Sequence, residues 1–181
     1  MAALVAGLAT VAIVAAGGAQ HSVEVSYQCT SSVGSITSPV KVTGTTPATV
    51  TPGAFVNLTG AQIIVTIPAT YVDNIIQSTG ANSASGVVTT LDFNSTDAEV
   101  ATVNAASTPI SFGPIGLSSG DDLVVAFPSS SLTVGSWTAY DKGTMSFSPG
   151  EAAFTISVTG YTATASCQPT KTVAISQTKV S

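Results

Sequence analysis

The sequence predicts an all-β fold, and three observations support that prediction. Almost every segment after Gln20 either alternates apolar and polar residues or is a short run of β-branched residues. Turns rich in Gly, Pro and Ser separate these segments, as at residues 51–53 and 148–150. Only 7% of the residues are charged, so Ser, Thr and Asn must make the surface polar. Many short strands at this spacing are typical of a sandwich or a barrel.

The predicted strands extend over the chain that follows the apolar N-terminus. They are Val23–Cys29, Val40–Thr45, Phe55–Leu58, Gln62–Ile67, Val87–Asn94, Val100–Asn104, Ile110–Phe112, Leu123–Phe127, Ser136–Tyr140, Thr144–Ser148, Ala153–Val158 and Thr162–Cys167. Beyond Pro169 the tail is polar, and Val173 and Ile175 are predicted to belong to an additional edge strand. No repeat or long linker interrupts the pattern, so residues 20–181 are predicted to form a single domain.

One segment follows a helical pattern instead. Residues 69–78 follow Pro68 and precede Gly80, and their apolar members Tyr71, Val72, Ile75 and Ile76 fall on one helical face. Glycine is the residue most often found just after a helix, because it adopts the left-handed backbone conformation without strain. We therefore expect one short helix that closes an end of the β-fold.

The first nineteen residues form an uncharged Ala/Val/Leu/Gly run. Gly17 and Ala19 are small residues at the −3 and −1 positions of a cleavage site, so residues 1–19 are predicted to be a signal peptide. No Lys or Arg precedes the run, which departs from the usual signal. The alternative is a retained hydrophobic helix, which acts either as an anchor or as the core of a filament. Contact with a membrane is expected only through this segment.

The chain has two cysteines, Cys29 and Cys167. An even number of cysteines in an exported chain favours a disulfide. Both residues continue the apolar positions of alternating strands, so both sulfur atoms are predicted to lie on buried strand faces. Closing so long a loop contributes about 4–5 kcal/mol in the chain-entropy model. The alternative is two buried free thiols.

Several turn and core motifs occur in a familiar order. They are Tyr27-x-Cys29, Thr46-Pro47-Ala48-x-Val50-Thr51-Pro52-Gly53, Ile67-Pro68-Ala69, Gly80-Ala81-x-x-x-x-Gly86, Gly113-Pro114-Ile115 and the closing Cys167. In this order they resemble a family of secreted actinobacterial β-domains of unknown function, catalogued as DUF6801-like. The resemblance covers residues 23–169. It implies an exported, immunoglobulin-like antiparallel β-sandwich whose end strands are tied by a disulfide, and it implies no catalytic residue.

The segment Gly116-Leu117-Ser118-Ser119-Gly120 matches the pattern of a serine nucleophile. That pattern is catalytic only at a strand-to-helix turn with a base nearby. Here Asp121 and Asp122 continue the turn and a strand follows. The only histidine, His21, lies in a segment that we expect to be a flexible terminus. We therefore predict a plain turn at Ser118 and no catalytic site.

A weak calcium candidate extends from the end of the predicted strand Val87–Asn94 into the turn that follows it. Asp92, Asn94, Asp97 and Glu99 supply oxygen ligands of the kind that calcium prefers. The spacing lacks the glycine and the distal glutamate of an EF-hand loop. A solvated hairpin is the simpler interpretation, and we predict no metal requirement.

The composition of the chain argues against several other kinds of binding site. The chain has no arginine, four basic residues in all and a net charge of −5, so nucleic-acid binding is not expected. One histidine and two cysteines do not provide an ordinary zinc site, and no cofactor is predicted. Asn57 and Asn94 begin N-glycosylation sequons, whose use the sequence leaves open. The aromatics Trp137, Tyr140, Phe147 and Phe154 are expected in the core or on a sheet face, which makes a sugar-binding platform a minor alternative.

These observations predict a non-catalytic secreted or cell-envelope β-sandwich that acts as a structural or interaction module. Its partner is an unidentified protein or envelope component, or another copy of the same chain. The alternative is a pilin-like filament subunit whose first nineteen residues form the filament core. In that helix the small residues Ala3 and Gly7 are spaced four apart, as are Ala12 and Ala16. A secreted hydrolase is a weaker third hypothesis.

Overall fold

The computed structural model describes residues 21–32 and 34–181, and this part of the chain forms eleven strands and one helix. The elements are β1 (His21–Ser31), β2 (Gly34–Thr45), β3 (Thr49–Val50), β4 (Phe55–Ile67), α1 (Ala69–Thr79), β5 (Ser83–Ser95), β6 (Thr102–Asn104), β7 (Ile110–Gly116), β8 (Leu123–Thr138), β9 (Gly143–Val158), β10 (Tyr161–Pro169) and β11 (Ser176–Val180). The predicted signal peptide or hydrophobic helix at residues 1–19 lies outside the described residues.

The strands pair in the order β3-β11-β9-β10-β1-β2-β4-β8, and β5 pairs with β6, β7 and β9. All these pairs are antiparallel except β3 with β11, which is parallel. Strand β9 joins the two groups, because β10 and β11 pair with successive parts of it while β5 pairs with its other edge. The predicted all-β sandwich is confirmed.

Three strands are longer than their patterns suggested. Each merges two predicted strands: β4 joins 55–58 to 62–67, β8 joins 123–127 to the first part of 136–140 and ends at Thr138, and β9 joins 144–148 to 153–158. The joins are irregular, and the register between β4 and β8 shifts repeatedly around Gly60, whose φ is 65°. Glycine adopts such a φ without strain, so the residues that signalled turns are β-bulges inside continuous strands.

The core lies between the two groups of strands. Val25, Val42 and Val56 come from one group and Val88 and Phe93 from the other, and all are buried. At the centre, the ring of Trp137 meets Phe147 edge-on with their centroids 5.1 Å apart, as expected for aromatic pairs. The alternation of apolar and polar residues in the sequence therefore identifies the residues whose side chains point into the core.

Cys29 and Cys167 are disulfide-bonded, which confirms the predicted pairing. The two residues are direct partners in the antiparallel ladder of β1 and β10, and both are buried. The bond does not join the first strand to the last, however. Strand β11 follows β10 and inserts between β3 and β9, so the C-terminal tail predicted to form an edge strand pairs on both sides. Ile175, just before β11, is buried in the core.

Helix α1 agrees with its prediction. Pro68 precedes its first residue, and Gly80 ends it with φ 67° and an N–H that donates to the carbonyl of Ile76 at 2.8 Å. This is the left-handed cap that glycine favours. Val72 and Ile76 pack on the core, whereas Tyr71 is 41% exposed and so does not belong to the buried face.

Candidate functional site

The serine motif at residues 116–120 forms a turn that is bound to the helix. Strand β7 ends at Gly116, and the chain turns at Ser119 and Gly120 before β8 begins. Oδ1 of Asp73 in α1 accepts hydrogen bonds from the Ser119 hydroxyl at 2.7 Å and from the Gly120 N–H at 2.9 Å. No helix follows Ser118, so the strand-to-helix geometry of a nucleophile elbow is not formed here.

The same turn supplies the cap of α1. Pro68 makes no side-chain cap, and Oδ1 of Asp122 accepts the N–H of Ala69 at 2.8 Å. Free N–H groups at a helix start favour a nearby carboxylate, whichever part of the chain it comes from. The helix therefore contributes Asp73 to the turn, and the turn contributes Asp122 to the helix. We call this reciprocal arrangement the helix–turn clasp.

The two hydrogen bonds to Asp73 also set its ionisation. The Ser119 hydroxyl, and then the Gly120 N–H, lower the pKa of the Asp73 carboxyl because both bonds favour the charged form. Sequence analysis did not find the role of Asp73 or of Asp122. The sequence shows only that Asp73 lies in a predicted helix and Asp122 in a predicted turn. Their hydrogen-bond partners are 46 to 53 residues away along the chain, so no local pattern reveals them.

His21 is not in a free terminus, contrary to the sequence prediction. It begins β1, pairs with Gly44 of β2 and is half-buried. Its Nε2 is buried and has no hydrogen-bond partner among residues 21–32 and 34–181. No hydrogen bond joins it to Ser118, which lies on the turn held by α1.

The weak calcium candidate is divided between two places. Asp92 and Asn94 lie on β5, and the Asn94 Oδ1 accepts a hydrogen bond from the Thr102 hydroxyl at 2.8 Å. The segment with Asp97 and Glu99 runs beside the end of β8, where Ala98 forms a bridge with Ala139. Within the described part of the chain, no group of three or more His, Cys, Asp or Glu residues is arranged to hold a metal.

Asp92 instead lies near Glu151, a residue that the sequence analysis did not select. Burial raises the pKa of the Asp92 carboxyl first, and the nearby charge of Glu151 raises it further. Glu151 Oε1 accepts a hydrogen bond from the Ser166 hydroxyl at 3.1 Å. These residues form a polar row on the outer face of β5, β9 and β10, with two carboxylates in mutual repulsion.

Beside the disulfide lies a buried hydrogen bond. The Tyr27 hydroxyl donates to the carbonyl of Gly150 at 2.9 Å, and the Tyr27 side chain is 2% exposed. Burial raises the pKa of Tyr27 far above its usual value, so the phenol stays protonated and remains a donor. Gly150 follows Pro149 in the irregular middle of β9, and the bond satisfies a carbonyl there.

The aromatic residues divide between the core and the surface. Trp137 and Phe147 are fully buried and Phe154 is half-buried, whereas Tyr140 is 66% exposed. Phe55, which sequence analysis placed only at the start of a strand, is 70% exposed. The side chain of the sequon residue Asn57 is exposed, and that of Asn94 is half-buried.

Among the described residues, no helix is long and apolar enough to cross a membrane.

Comparison with known proteins assigns the chain to a family. Residues 26–179 match the model of DUF6801, a family of unknown function. The chain belongs to this family. The family resemblance read from the motifs is therefore confirmed, and its span agrees closely with the β-domain described here. No curated protein matches the DUF6801 chain.

One solved structure has a similar fold. It is the crystal structure of "Putative membrane anchored protein from Corynebacterium diphtheriae", with a TM-score of 0.52 and 18% sequence identity. The alignment covers 90% of the DUF6801 chain but 38% of the corynebacterial chain. At this identity the likeness concerns the fold alone. The DUF6801 chain spans well under half the length of that protein.

Proposed function

We propose that this DUF6801 chain is a non-catalytic domain at the cell surface or in the medium, where it acts as a structural or interaction module. The disulfide between Cys29 and Cys167 is the observation that carries the proposal. Disulfides persist in oxidising compartments outside the cytoplasm and are rare within it. The description of the corynebacterial protein of similar fold as membrane anchored agrees with a place in the envelope.

The absence of catalysis is supported by how the serine motif is used. A serine nucleophile needs a base that takes its proton and donors that hold the oxyanion. The turn after Ser118 gives its donors, the Ser119 hydroxyl and the Gly120 N–H, to the Asp73 carboxylate. The Asp73 carboxylate therefore already pairs two donors of the turn within the protein. The turn thus works as an anchor for α1.

Fractionation of the source cells tests the location. The full chain, carrying a C-terminal tag, should appear in the envelope or the medium, and the N-terminus of the exported protein should be sequenced. A mature start at Gln20 supports a cleaved signal and contradicts a filament core built from residues 1–19. An intact apolar start favours an anchor or a filament subunit. Recovery of the protein only in the cytoplasm would contradict the proposal.

An esterase assay tests the absence of catalysis. The purified protein and its Ser118→Ala variant should hydrolyse p-nitrophenyl acetate no faster than the buffer does. Ser119→Ala is the matched control, because it removes the neighbouring hydroxyl that binds Asp73. Hydrolysis that disappears in Ser118→Ala and persists in Ser119→Ala would overturn the non-catalytic assignment.

A further inference from the structure

Two exposed aromatic side chains lie at one end of the sandwich, Phe55 at the start of β4 and Tyr140 two residues beyond the end of β8. Phe55 is 70% exposed and Tyr140 is 66% exposed, the two largest exposures among the large hydrophobic side chains of the described chain. Phe55 pairs with Thr138 of β8, and Tyr140 lies two residues further along. Because Trp137 and Ala139 are buried, Thr138 and Tyr140 share the outer face with Phe55.

Continued by two residues from the Phe55–Thr138 pair, the register puts the backbone of Tyr140 diagonally across from Phe55. Residues in diagonal positions on an antiparallel pair are about 7–8 Å apart, which aromatic side chains can span. Exposed aromatic residues standing singly need no explanation, but an adjacent pair forms a patch that binding surfaces often use. Both rings are accessible here while the neighbouring aromatic Trp137 is fully buried. We call the surface formed by Phe55 and Tyr140 the aromatic patch.

Carboxylates surround this patch on the side away from β4. The Glu99 N–H donates to the carbonyl of Thr138 at 3.3 Å, and the Tyr140 N–H donates to the carbonyl of Asp97 at 3.3 Å. Asp97 and Glu99 are exposed, as is Asp141 beside Tyr140. None of the three forms an ion pair with any residue of the described chain. Lys142 follows on the same turn, so the local charge is about −2 by count.

We propose that the aromatic patch with its flanking carboxylates binds an arginine- or lysine-bearing segment of another protein. A cation placed over an aromatic ring is attracted by the electrons of the ring face, and a carboxylate beside it adds an ion pair. Arginine suits such a surface best, because its planar guanidinium both stacks on a ring and bonds a carboxylate in two places. This inference names the class of partner for the interaction module proposed above and rests on that proposal.

Charge decides between this occupant and the others. A second copy of the chain is a poor source of cations, because the chain has no arginine, four lysines and a net charge of −5. An anionic membrane surface would be repelled by Asp97, Glu99 and Asp141. A neutral glycan would use the rings but would gain nothing from the charge of the carboxylates. A cationic peptide uses both features of the surface.

Backbone amide spectra of the full chain titrated with peptide test this inference. The probe is a capped peptide of alternating glycine and arginine, and the control is the same peptide with citrulline, which keeps the shape of arginine and removes its charge. Arginine peptide should shift the resonances around Phe55, Glu99 and Tyr140, and the citrulline peptide should bind at least about fivefold more weakly. Equal binding of the two peptides, or no shift near the patch, overturns the proposal.

Variants locate the contact. Tyr140→Ala and, separately, Glu99→Gln should each weaken the arginine peptide several-fold, and added salt should weaken the wild-type binding. Tyr161→Ala is the matched control, since Tyr161 is a 40% exposed aromatic on β10. Because Glu99→Gln removes only a surface charge, it remains informative even if Tyr140→Ala fails to fold. Equal affinity of wild type and both patch variants contradicts the assignment.

Two further probes identify the rival occupants. Shifts at the patch with cellohexaose, or with vesicles of phosphatidylglycerol, and none with the arginine peptide would overturn the proposal in favour of a glycan or a membrane. The proposed function is judged separately, because fractionation and the esterase assay do not involve the patch. An exported, inactive protein that ignores the arginine peptide would leave that function standing and remove only this partner.

Discussion

The disulfide region and the helix–turn clasp both join distant parts of the chain, but through different kinds of contact. In the disulfide region, Cys29 is bonded to Cys167, and the buried hydroxyl of Tyr27 donates to the carbonyl of Gly150. In the clasp, the exposed Asp122 and the partly buried Asp73 accept hydrogen bonds from the opposite element. Buried and covalent contacts are insensitive to salt, whereas solvent-exposed charged contacts are screened by it. The fold should therefore depend on the first region, and local order around α1 on the second.

Removing the disulfide should have the largest effect. The bond closes a loop with a sequence separation of 138 residues, and the double variant Cys29→Ala/Cys167→Ala should lose about 2–5 kcal/mol of unfolding free energy. Urea denaturation followed by tryptophan fluorescence measures the loss, with reduced wild type as the control. If oxidised and reduced proteins unfold at the same urea concentration, the disulfide region is not what secures the fold.

Tyr27→Phe should have the next largest effect. It removes the hydroxyl and leaves the Gly150 carbonyl without its buried donor, so the unfolding free energy should fall by about 1–2 kcal/mol. Tyr161→Phe is the matched control, because Tyr161 is 40% exposed. The same urea titration compares the two. A Tyr27→Phe variant as stable as Tyr161→Phe would show that the bond contributes nothing measurable.

In the clasp, Asp73→Asn should destabilise the protein modestly and only where Asp73 is ionised. The pKa of Asp73 is lowered in the folded protein, so its contribution is complete above the unfolded pKa of 3.8 and is lost as the pH falls through the folded value. Urea midpoints from pH 7 to pH 2 should show a difference between wild type and variant that closes at the acid end. A difference that persists unchanged at pH 2 would assign the effect to something other than ionisation.

Asp92→Asn should change the stability of the protein in the opposite direction. Burial and Glu151 raise the pKa of Asp92, so the folded state favours its protonated form and loses stability as the pH rises through the raised value. The variant should therefore be slightly more stable than wild type at pH 7, with the gain disappearing below the usual pKa of 3.8. Thermal unfolding at pH 7 and at pH 3 measures it. Destabilisation at pH 7 would mean that Asp92 has a favourable partner.

Calcium should have no effect. Asp92 and Asn94 lie on β5, while Asp97 and Glu99 run beside the end of β8, so the four do not converge. Thermal midpoints in calcium chloride and in chelator should agree, with magnesium chloride as the control for ionic strength. A rise of several degrees that is specific to calcium would make these residues ligands.

The sequence predicted the disulfide but neither the Tyr27–Gly150 hydrogen bond nor the clasp, for a physical reason. Burial is visible in a local stretch of sequence, because residues that point inward from a strand repeat at every second position. This period predicts that Cys29 and Cys167 lie on buried strand faces. Hydrogen bonds of surface carboxylates leave no periodic trace. Asp73 and Asp122 find partners through the three-dimensional approach of α1 to a turn far along the chain.

Strand ends were the other limit of the sequence analysis. Pro149 lies in a predicted turn, and Gly60 lies between the predicted strands Phe55–Leu58 and Gln62–Ile67; both residue types favour turns. In the sandwich they lie at irregular points inside β4 and β9, because hydrogen bonds to neighbouring strands resume on either side. The aromatic patch was missed for a related reason. Phe55 and Tyr140 are far apart in the sequence, and only the pairing of Phe55 with Thr138, two residues before Tyr140, relates their positions.

The most direct test of this account is the state of the two thiols in the exported protein. Protein from the envelope or the medium should be alkylated without reduction, digested and analysed by mass spectrometry. Neither cysteine should be alkylated, and the peptides containing Cys29 and Cys167 should be recovered as one linked species that separates only after reduction. Two alkylated cysteines in natively exported protein would contradict the disulfide, which is the observation that carries the proposed function.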